Sequence, residues 1–569
     1  MAEITRAIRH KRFNFSKDSP VKFVIETKIG SQYTLIPENC SLTGIAGYAS
    51  QPLSNDEQFD IGDILPAAKI IWEGHEYALG RLVIRNFVKK DEKTTLGFSL
   101  VDSKTPIDGP LARYLETPRD EAAVTPYGFE LNPDKFSIAN FTETNQTNVD
   151  LFAKCKQFSI YFNQWEKMPK YQYHTVRTPS MGARVNLTRS RPNGRNDYLV
   201  MGSNDYLGLA SHPEVIAAAR NAIDQYGFGS TGSPLTTGIS AAHEELCGFL
   251  AKLYGKEKVI LYNSGYTANV GFVQGITTAQ DLIVADILAH ASLQDGMRMS
   301  SATSRFFKHN DPKHLEKILS DQRNQYAGAL VITEGIFSMD GDVPPLKKIV
   351  EIAKKYNART FVDEAHSLGV IGPNGLGGCE KFGVISDVDV IMGTFSKICG
   401  GIGGFIAGNS DVMDWLYWLS RAHMFSVSIP PSTAAAALKA LQIFTSDKTL
   451  LTNVRRNIRH FVNGLRSLGA PLNPEHESTV VPVVIGDEKK LGQMNQVLID
   501  NGVFVVPIVF PAVSRKTCRF RFTVMATHTI SDLDYALSIF EKAMQKADFT
   551  FKKNEEQKEA LGATGEQGY

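Results

Sequence analysis

The segment "DVIMGTFSKICGGIGG", residues 389–404, joins an apolar run to a glycine-rich run and places Lys397 at the junction. Most lysines occupy solvated positions. A lysine flanked by a buried strand and by glycines is partly desolvated, and desolvation lowers the pKa of an amine. The segment therefore predicts a buried strand that ends in a neutral, reactive amine.

The sequence around this segment alternates between short β-branched strands and amphipathic helices, and this pattern starts near residue 195. Strand-like runs include "KVILYN", "GALVITEG" and "ARTFVDEAH", and helical ones include "HPEVIAAARNAIDQYG" and "LKKIVEIAKKYN". Strands separated by helices predict an α/β fold with a mostly parallel central sheet that is covered on both faces. Past residue 475, "STVVPVVIG", "GVFVVPIVFP" and "RFRFTVMA" predict a smaller α+β subdomain.

The rest of the chain differs in composition. Residues 20–102 contain short runs rich in Val, Ile, Phe and Tyr between Gly and Asn, which predicts a small all-β domain. Prolines and mixed charges follow, with one helical segment, and the tail "FKKNEEQKEALGATGEQGY" is polar enough to be disordered. We predict a β domain over 1–102, a connector over 103–190, an α/β domain over 191–548 and a tail over 549–569.

The composition gives no global hint of a partner. The 61 Lys and Arg residues nearly cancel the 60 Asp and Glu residues, so no overall field favours nucleic acid or an anionic membrane. No apolar run is long enough for a membrane span. The six cysteines lie far apart without metal-ligand spacing, which indicates reduced thiols in a cytoplasmic protein with no metal site.

One glycine-rich motif has to be excluded. "GFGSTG", residues 227–232, matches the dinucleotide fingerprint. The residues before it predict a helix instead of a strand, and no acidic residue follows about 20 positions later in a strand. A nicotinamide cofactor is therefore rejected.

Polar and titratable residues follow three of the predicted strands. "TFVDEAHSLGV" carries Asp363 and His366, "ITEGIFSMDGD" carries Glu334 and Ser338, and Lys397 follows the third strand. Each such residue alone is more often a surface or capping residue. Their concentration at one sheet edge instead indicates a ligand site.

That combination suits pyridoxal 5'-phosphate (PLP). A neutral lysine condenses with the aldehyde, and a carboxylate such as Asp363 keeps the pyridine nitrogen protonated. The phosphate needs hydroxyl and backbone N–H groups, which "NSGYTAN" (263–269) and Thr394 can supply.

The chain also resembles the α-oxoamine synthases, PLP enzymes of fold type I that condense an amino acid with an acyl thioester. The resemblance runs in order from about 195 to 545 over "GSNDYLGLASHPEV", "GSTGSPLTTG", "NSGYTANVG", "AHASLQDG", "FFKHNDPKHLE", "ITEGIFSMDGDVPPL", "FVDEAHSLGVIGPNGLG", "GTFSKICGGIGG" and "CRFRFTVMATHT".

The resemblance implies a role for each matched position. Lys397 would form the Schiff base with the cofactor, Asp363 would contact the pyridine nitrogen, and His290 would stack on the ring. The phenolic oxygen of the ring would be bonded by His366 and Ser338. The remaining positions are those for the phosphate (Ser264, Gly265, Tyr266 and Thr394, with Ser426 and Ser428 of a second subunit in a homodimer) and those for the substrate (Arg521 on the carboxylate, and Asn204).

The implied reaction is an EC 2.3.1 acyl transfer. Lys397 would remove the α-proton, the carbanion would attack acyl-CoA or an acyl carrier protein thioester, and carbon dioxide would leave to give an α-amino ketone. Neither the amino acid nor the acyl chain follows from the sequence. Two alternatives remain: a PLP lyase or aldolase that acts on the amino acid alone, and a non-catalytic cyclic-dinucleotide effector.

Residues 1–102 resemble a PilZ domain, the small β-barrel that binds cyclic di-GMP. "NCSLTG" fits the family's [DN]-x-S-x-x-G motif at Asn39, Ser41 and Gly44. The family's R-x-x-x-R is replaced by Arg6, Arg9 and Arg12, spaced three apart. Arginine suits a dianion with two guanines, so the resemblance implies cyclic di-GMP binding. The alternative is a docking module that has lost its ligand.

Overall fold

The computed structural model describes seven strands between residues 13 and 100, and residues 150–551 apart from short gaps within 153–181 and at position 511. The chain divides into two compact units, Met1–Tyr161 and Phe162–Tyr569. Among the described residues, no helix is long and apolar enough to cross a membrane, and no group of side chains is arranged to hold a metal ion.

The first unit is built from antiparallel strands, in keeping with the predicted all-β region. They are β1 Phe13–Asn14, β2 Val21–Glu26, β3 Gln32–Ser41, β4 Gly44–Ala49, β5 Ile64–Trp72, β6 His75–Lys90 and β7 Lys93–Leu100. Their order is β1-β3-β2-β5-β6-β7-β4, and β3 also pairs with β4. The ladder therefore closes on itself, which removes the exposed edges of an open sheet.

A seven-stranded, mostly parallel sheet forms the centre of the second unit, as predicted. Its strands are β10 Lys258–Tyr262, β11 Asp281–Asp286, β12 Thr303–Phe307, β13 Gly328–Glu334, β14 Arg359–Asp363, β15 Val390–Thr394 and β16 Gly404–Gly408, in the order β10-β16-β15-β14-β13-β11-β12. Only β16 runs antiparallel to its neighbours.

Helices cover both faces of this sheet. They are α1 Pro213–Tyr226, α2 Ala241–Tyr254, α3 Gly265–Ile276, α4 Ala291–Met299, α5 Pro312–Gln322, α6 Leu346–Lys355, α7 Gly378–Lys381, α8 Ser410–Leu419, α9 Arg421–Met424, α10 Pro431–Ser446 and α11 Lys448–Ser467. Successive strand residues belong to different cores: Phe361 stacks on Phe272 of α3, whereas Val362 packs into the core on the other side. This two-sided burial explains why the strands are apolar throughout.

The small subdomain has its own strands, β17 Val480–Val484, β19 Pro507–Ile508 and β20 Arg519–Thr523, with helices α12 Glu488–Asp500 and α13 Ile530–Lys546. A further sheet joins β18 Val503–Phe504 to β9 Asp197–Val200 and β8 Arg184–Asn186. Strand β8 lies within residues 103–190, the range that the sequence assigned to a connector, and it pairs with β9 of the predicted α/β domain. The tail expected to be disordered lies, beyond residue 551, outside the described residues.

Candidate active site

The carboxyl ends of β13, β14 and β15 meet at one edge of the central sheet. Glu334 ends β13 and lies beside Asp363, the last residue of β14, and β15 ends at Thr394. Lys397 follows three residues later. Parallel neighbours place their last residues together, so the residues singled out from three distant segments form one cluster.

Asp363 is a buried carboxylate with two fixed donors. Its side chain is 4% exposed. Asn269 of α3 donates its Nδ2 to Oδ2 at 2.8 Å, and the backbone N–H of Ala365 donates to Oδ1 at 2.8 Å. Two donors, one to each oxygen, fix the orientation of this side chain. Asn269, which the sequence reasoning missed, lies within the segment "NSGYTAN", and only the packing of α3 against the sheet brings it to Asp363.

Lys397 has a pKa lowered from the usual range for lysine, chiefly because it is desolvated by burial. The carboxyl groups of Asp363 and Glu334 act in the opposite direction, and the Arg521 guanidinium adds to the lowering. Burial is the dominant effect, so the amine loses its proton more easily than an exposed lysine does. This is the reactive amine that the sequence predicted.

His290 sits at the N-terminus of α4 and connects to Asp363 through side chains. Its backbone N–H donates to Oε1 of Glu334 at 2.6 Å, and its Nδ1 lies 2.7 Å from the Ser292 hydroxyl. Asn269 donates to that hydroxyl at 2.9 Å as well as to Asp363. Burial lowers the pKa of His290, although the charge of Asp363 raises it in part. A neutral imidazole is suited to stacking on a flat ring.

His366 is buried and contacts a tyrosine that the sequence reasoning did not select. The Tyr206 hydroxyl lies 2.6 Å from Nδ1 of His366. Burial lowers the pKa of His366 well below its usual value, and the positive charges of Lys397 and Arg521 add to this effect. His366 is therefore neutral. Tyr206 lies in the quoted motif "GSNDYLGLASHPEV", and only the three-dimensional structure reveals its contact with His366.

Arg521 approaches the cluster from the small subdomain, on β20. Its Nε donates to the backbone carbonyl of Ser338 at 2.8 Å. Its charge influences the pKa of Lys397, of His366 and of Tyr206, in each case after the larger effect of burial. A guanidinium is thereby held within electrostatic reach of the amine and the imidazole. The part predicted for the Ser338 hydroxyl stays a prediction.

The predicted phosphate positions surround the start of α3. Ser264 caps this helix, with its Oγ accepting from the Thr267 N–H at 3.0 Å. A Cβ on Gly265 would lie 3.0 Å from side-chain atoms of Met392 and Thr394, so glycine suits the close approach of this helix start to β15. Thr394 donates its hydroxyl to the Gly403 carbonyl at 2.9 Å. Free N–H groups at a helix start attract phosphate.

The other predicted residues differ in exposure and in the groups that they contact, and of these Tyr266 packs edge-on against the ring of His290. Tyr266 is 46% exposed and donates its hydroxyl to Asp295. Asn263 donates to the Ser426 hydroxyl within the same chain. Ser428 is buried, and its Oγ has no hydrogen-bond partner in the described part of the chain. Asn204 is exposed.

The predicted cyclic di-GMP residues are only partly described. Asn39 and Ser41 lie in β3, and Ser41 pairs with Gly44 at the start of β4. The motif therefore spans a hairpin. Arg6, Arg9 and Arg12 lie outside the described residues.

The comparison with protein families identifies the class of the chain. A family model described as "Aminotransferase class I and II" matches residues 196–540. This match covers more than half of the chain, and the chain belongs to that family.

The similar proteins are more specific. The 8-amino-7-oxononanoate synthase of Alkaliphilus metalliredigens is 40% identical over 349 residues, which cover 61% of this chain and 88% of that protein. The serine palmitoyltransferase of Bacteriovorax stolpii is 39% identical over 350 residues, with coverages of 62% and 83%. These relatives confirm the prediction of an α-oxoamine synthase, a PLP-dependent acyltransferase.

The solved structures agree with these relatives. The serine palmitoyltransferase of Sphingomonas wittichii matches with a TM-score of 0.67 and 30% identity, covering 71% of this chain and 100% of that one. A second serine palmitoyltransferase, solved with PLP as its internal aldimine, matches with a TM-score of 0.66 and 30% identity over 70% of this chain and 100% of that one. The predicted fold type I architecture and the cofactor PLP are confirmed.

The residues of this chain fit PLP. The site combines a lysine of lowered pKa, a buried carboxylate with fixed orientation, a histidine of lowered pKa and a helix start that packs closely against β15 at Gly265. When bound, PLP supplies an electron sink for a carbanion next to the amino group of the substrate. Lys397 would hold its aldehyde carbon, Asp363 its ring nitrogen, and Ser264, Gly265 and Thr394 its phosphate.

Proposed function

We propose that this chain joins the α-carbon of an amino acid to the acyl group of a thioester, with loss of carbon dioxide, to give an α-amino ketone. The observation that carries the proposal is that the Ser338 carbonyl holds Arg521 within electrostatic reach of Lys397 and His366. A guanidinium grips a carboxylate through two parallel hydrogen bonds. Fixing the carboxylate sets which bond to the α-carbon faces the base.

Lys397 is the base that takes the α-proton. Burial lowers its pKa from the usual range for lysine, which makes it a better base near neutral pH than an exposed lysine would be. The negative charge of Asp363 favours the ammonium form after proton transfer. Lys397 can therefore accept a proton and later return it without leaving the site.

His366 is the hydrogen-bond donor in the proposal. Burial raises the pKa of the Tyr206 hydroxyl, which therefore stays protonated and can donate to Nδ1 of His366. With Nδ1 occupied as an acceptor, the proton of the neutral imidazole sits on Nε2. This N–H can bond the thioester carbonyl and stabilise the negative charge that develops on its oxygen during attack.

Product detection by mass spectrometry tests this function. The purified chain, loaded with PLP, is offered a panel of amino acids with a panel of acyl-CoA and acyl carrier protein thioesters. The expected result is an α-amino ketone that appears only when both substrates are present. Turnover of the amino acid without a thioester would establish a lyase or aldolase, and no turnover with any pair would favour a non-catalytic effector.

A homodimer is also part of the proposal. Large apolar side chains between residues 415 and 427 are exposed by 47–70%, namely Trp415, Trp418, Leu419, Phe425 and Val427. Such a patch is typical of a protein interface, and it includes the neighbours of Ser426, which the resemblance assigns to a partner's phosphate site. Sedimentation of the native chain should give a dimer that Phe425→Asp dissociates. A fully active monomer would refute this part.

We further propose that the first unit binds cyclic di-GMP and regulates the enzyme. Its support is the position of Asn39, Ser41 and Gly44 on the hairpin of β3 and β4 within a closed antiparallel ladder. Calorimetry should show binding of cyclic di-GMP that Arg9→Ala and Arg12→Ala weaken, with Lys11→Ala as the matched control. If the intact chain gives no heat of binding, the proposal that the first unit binds cyclic di-GMP is refuted.

A cytoplasmic location completes the proposal. The described cysteines are free thiols, and Cys379, Cys399 and Cys518 are buried, as expected for a reducing compartment. Fractionation of cells that produce the chain tests it, and recovery in a membrane or secreted fraction would contradict it.

A further inference from the structure

A partly buried histidine outside the catalytic cluster joins two strand ends to the loop that holds Arg521. His309 follows β12, and its ring lies between two carboxylates: Nδ1 is 2.9 Å from Oδ1 of Asp286, and Nε2 is 2.8 Å from Oδ2 of Asp342. Asp286 is fully buried at the end of β11 and also accepts from the backbone N–H groups of Leu288 and Asn310, both at 2.9 Å. This carboxylate is a rigid anchor.

Both ring nitrogens of His309 can donate only when each of them carries a proton, that is, when the ring is a positively charged imidazolium. Burial alone lowers the pKa of His309, but the hydrogen bonds and charges of Asp286 and Asp342 outweigh it and raise the pKa to about 10. The ring is therefore an imidazolium at neutral pH. Its two bonds are charge-assisted, which makes them stronger than bonds between neutral groups.

Asp342 belongs to a closed loop, residues 337–342, that follows β13. The loop is closed by two backbone bonds, from the Phe337 N–H to the Asp342 carbonyl at 3.1 Å and from the Gly341 N–H to the Phe337 carbonyl at 2.8 Å. Gly341 has a positive φ of 66°, which favours glycine. The ring of His309 packs edge-on against buried Phe337, with centroids 4.5 Å apart. The imidazolium thus holds the loop at both of its ends.

The opposite side of the loop binds the two arginines of β20. Ser338 offers its carbonyl to Arg521, and Asp340 accepts from Arg519 at 2.7 Å. The Met339 carbonyl accepts from Arg519 at 3.1 Å. Residues two apart on a strand share a face, so the loop is a template that aligns both guanidinium groups. Any tilt of the loop displaces the Ser338 carbonyl and with it Arg521.

We propose that His309 is a positioning residue: clamped between Asp286 and Asp342, it fixes the 337–342 loop in the conformation that orients Arg521 towards the carboxylate of the amino acid. This inference rests on the proposed function, because it assumes that Arg521 binds that carboxylate. His309 touches neither substrate nor cofactor, and its effect is transmitted through the Ser338 carbonyl.

The test is a titration of the PLP-loaded enzyme with the amino acid that the product panel identifies, followed by absorbance. His309→Gln keeps one hydrogen bond to an aspartate but loses the charge. We expect it to raise the dissociation constant and the KM of the amino acid about tenfold, with the KM of the thioester and the affinity for PLP unchanged. His314→Gln is the matched control, because His314 accepts from the Lys308 N–H and is not bonded to the loop.

A double-mutant cycle separates this inference from the proposed function. If Arg521→Ala alone leaves the amino-acid affinity unchanged, the role of Arg521 fails. If Arg521→Ala weakens binding, His309→Gln should add almost nothing in its background, because the two act as one unit. Three results would overturn the positioning role of His309. They are full additivity of the two substitutions in their effect on amino-acid affinity, an unchanged amino-acid affinity in His309→Gln, and an equal loss of affinity for both substrates and for PLP.

Hydrogen exchange in the PLP-free protein gives a readout besides activity. The Gly341 and Phe337 amides, which close the loop, should exchange faster in His309→Gln, while amides of α5 keep their rates. If His309→Gln fails to fold, Asp342→Asn weakens the same clamp from the other side and should show the same two effects. Unchanged loop exchange in a folded variant would contradict the proposal.

Discussion

The ends of β13 and β14 lie side by side, and each carries one buried carboxyl group in a different environment. Asp363 of β14 receives two hydrogen bonds, from Asn269 and from the Ala365 backbone. Glu334 of β13 receives a bond from the His290 backbone at 2.6 Å, and its pKa is raised well above the usual range by burial and then by the charge of Asp363. One site thus holds a carboxyl group anchored by two donors next to a carboxyl group whose protonated form is favoured by burial.

This difference shows how two similar groups divide one task. Two negative charges on adjacent strand ends repel each other, so the charge of Asp363 adds to the burial that favours the protonated form of Glu334. The anchored carboxylate of Asp363 can face a protonated ring nitrogen, whereas Glu334 supports the backbone of His290. Four substitutions test this division, in order of decreasing effect.

Lys397→Ala should have the largest effect, because it removes the amine that would hold the aldehyde carbon of PLP and take the α-proton. We expect turnover to fall on the order of 10⁴-fold or more. Covalent retention of PLP after borohydride reduction should be lost, as judged by mass spectrometry of the intact chain. Lys258→Ala, at an exposed lysine paired with Asp414, is the control. Borohydride trapping that persists in Lys397→Ala would contradict the assignment.

Asp363→Asn should come next. The amide keeps the shape but not the charge, so it can no longer hold a proton on the ring nitrogen. We expect PLP to remain bound while exchange of the α-proton of the amino acid, followed by NMR in deuterium oxide, slows about 10²- to 10³-fold. An exchange rate equal to that of the unmodified enzyme would remove Asp363 from its role.

The cofactor side of the site was predictable from the sequence because its residues follow strands directly. Strand runs that end in Asp363 and Thr394 place these residues at the carboxyl edge once the sheet is parallel. Chain order and strand length alone therefore bring Lys397 and Asp363 together. The same reasoning selected Glu334 as part of the edge but gave it no protonation state, which depends on how deeply it is buried.

The contacts made across the fold were not predictable. Tyr206 reaches His366 from 160 residues away, and Asn269 reaches Asp363 from 94 residues away. Neither contact leaves a periodic or spaced pattern in the sequence, because each depends on how a helix or turn packs against the sheet. Burial, which controls the pKa values of these groups, is likewise a property of the packed molecule.

Arg521→Lys should have a smaller effect that is confined to binding. Lysine keeps the positive charge but loses the planar fork that bonds a carboxylate twice. We expect the KM of the amino acid to rise about 10- to 30-fold with kcat reduced less. Steady-state kinetics with each substrate varied in turn measure this split. A rise in the KM of the thioester alone would show that Arg521 binds the other substrate.

Glu334→Gln should have the smallest effect on the rate, and it separates the two carboxyl groups most directly. A protonated glutamic acid and a glutamine have nearly the same shape, and the amide oxygen can still accept from the His290 backbone. We expect kcat/KM at pH 7 to change less than about threefold. A loss as large as that of Asp363→Asn would show that Glu334 is charged in the working enzyme.

The same variant should change how stability depends on pH. The raised pKa of Glu334 means that the folded protein keeps a proton which the unfolded chain releases, so this contribution to the free energy of unfolding is complete below the usual glutamate pKa and is lost as pH rises towards the folded pKa. Glutamine does not titrate. We therefore expect the free energy of unfolding of Glu334→Gln to rise relative to that of the unmodified chain by up to about 1.4 kcal/mol per pH unit. Urea unfolding of the PLP-free protein between pH 4.5 and 8 measures this difference. Glu351→Gln, at an exposed residue, is the control and should follow the unmodified chain throughout. Parallel curves for Glu334→Gln and the unmodified chain would mean that Glu334 is ionised, and the contrast between the two strand ends would disappear.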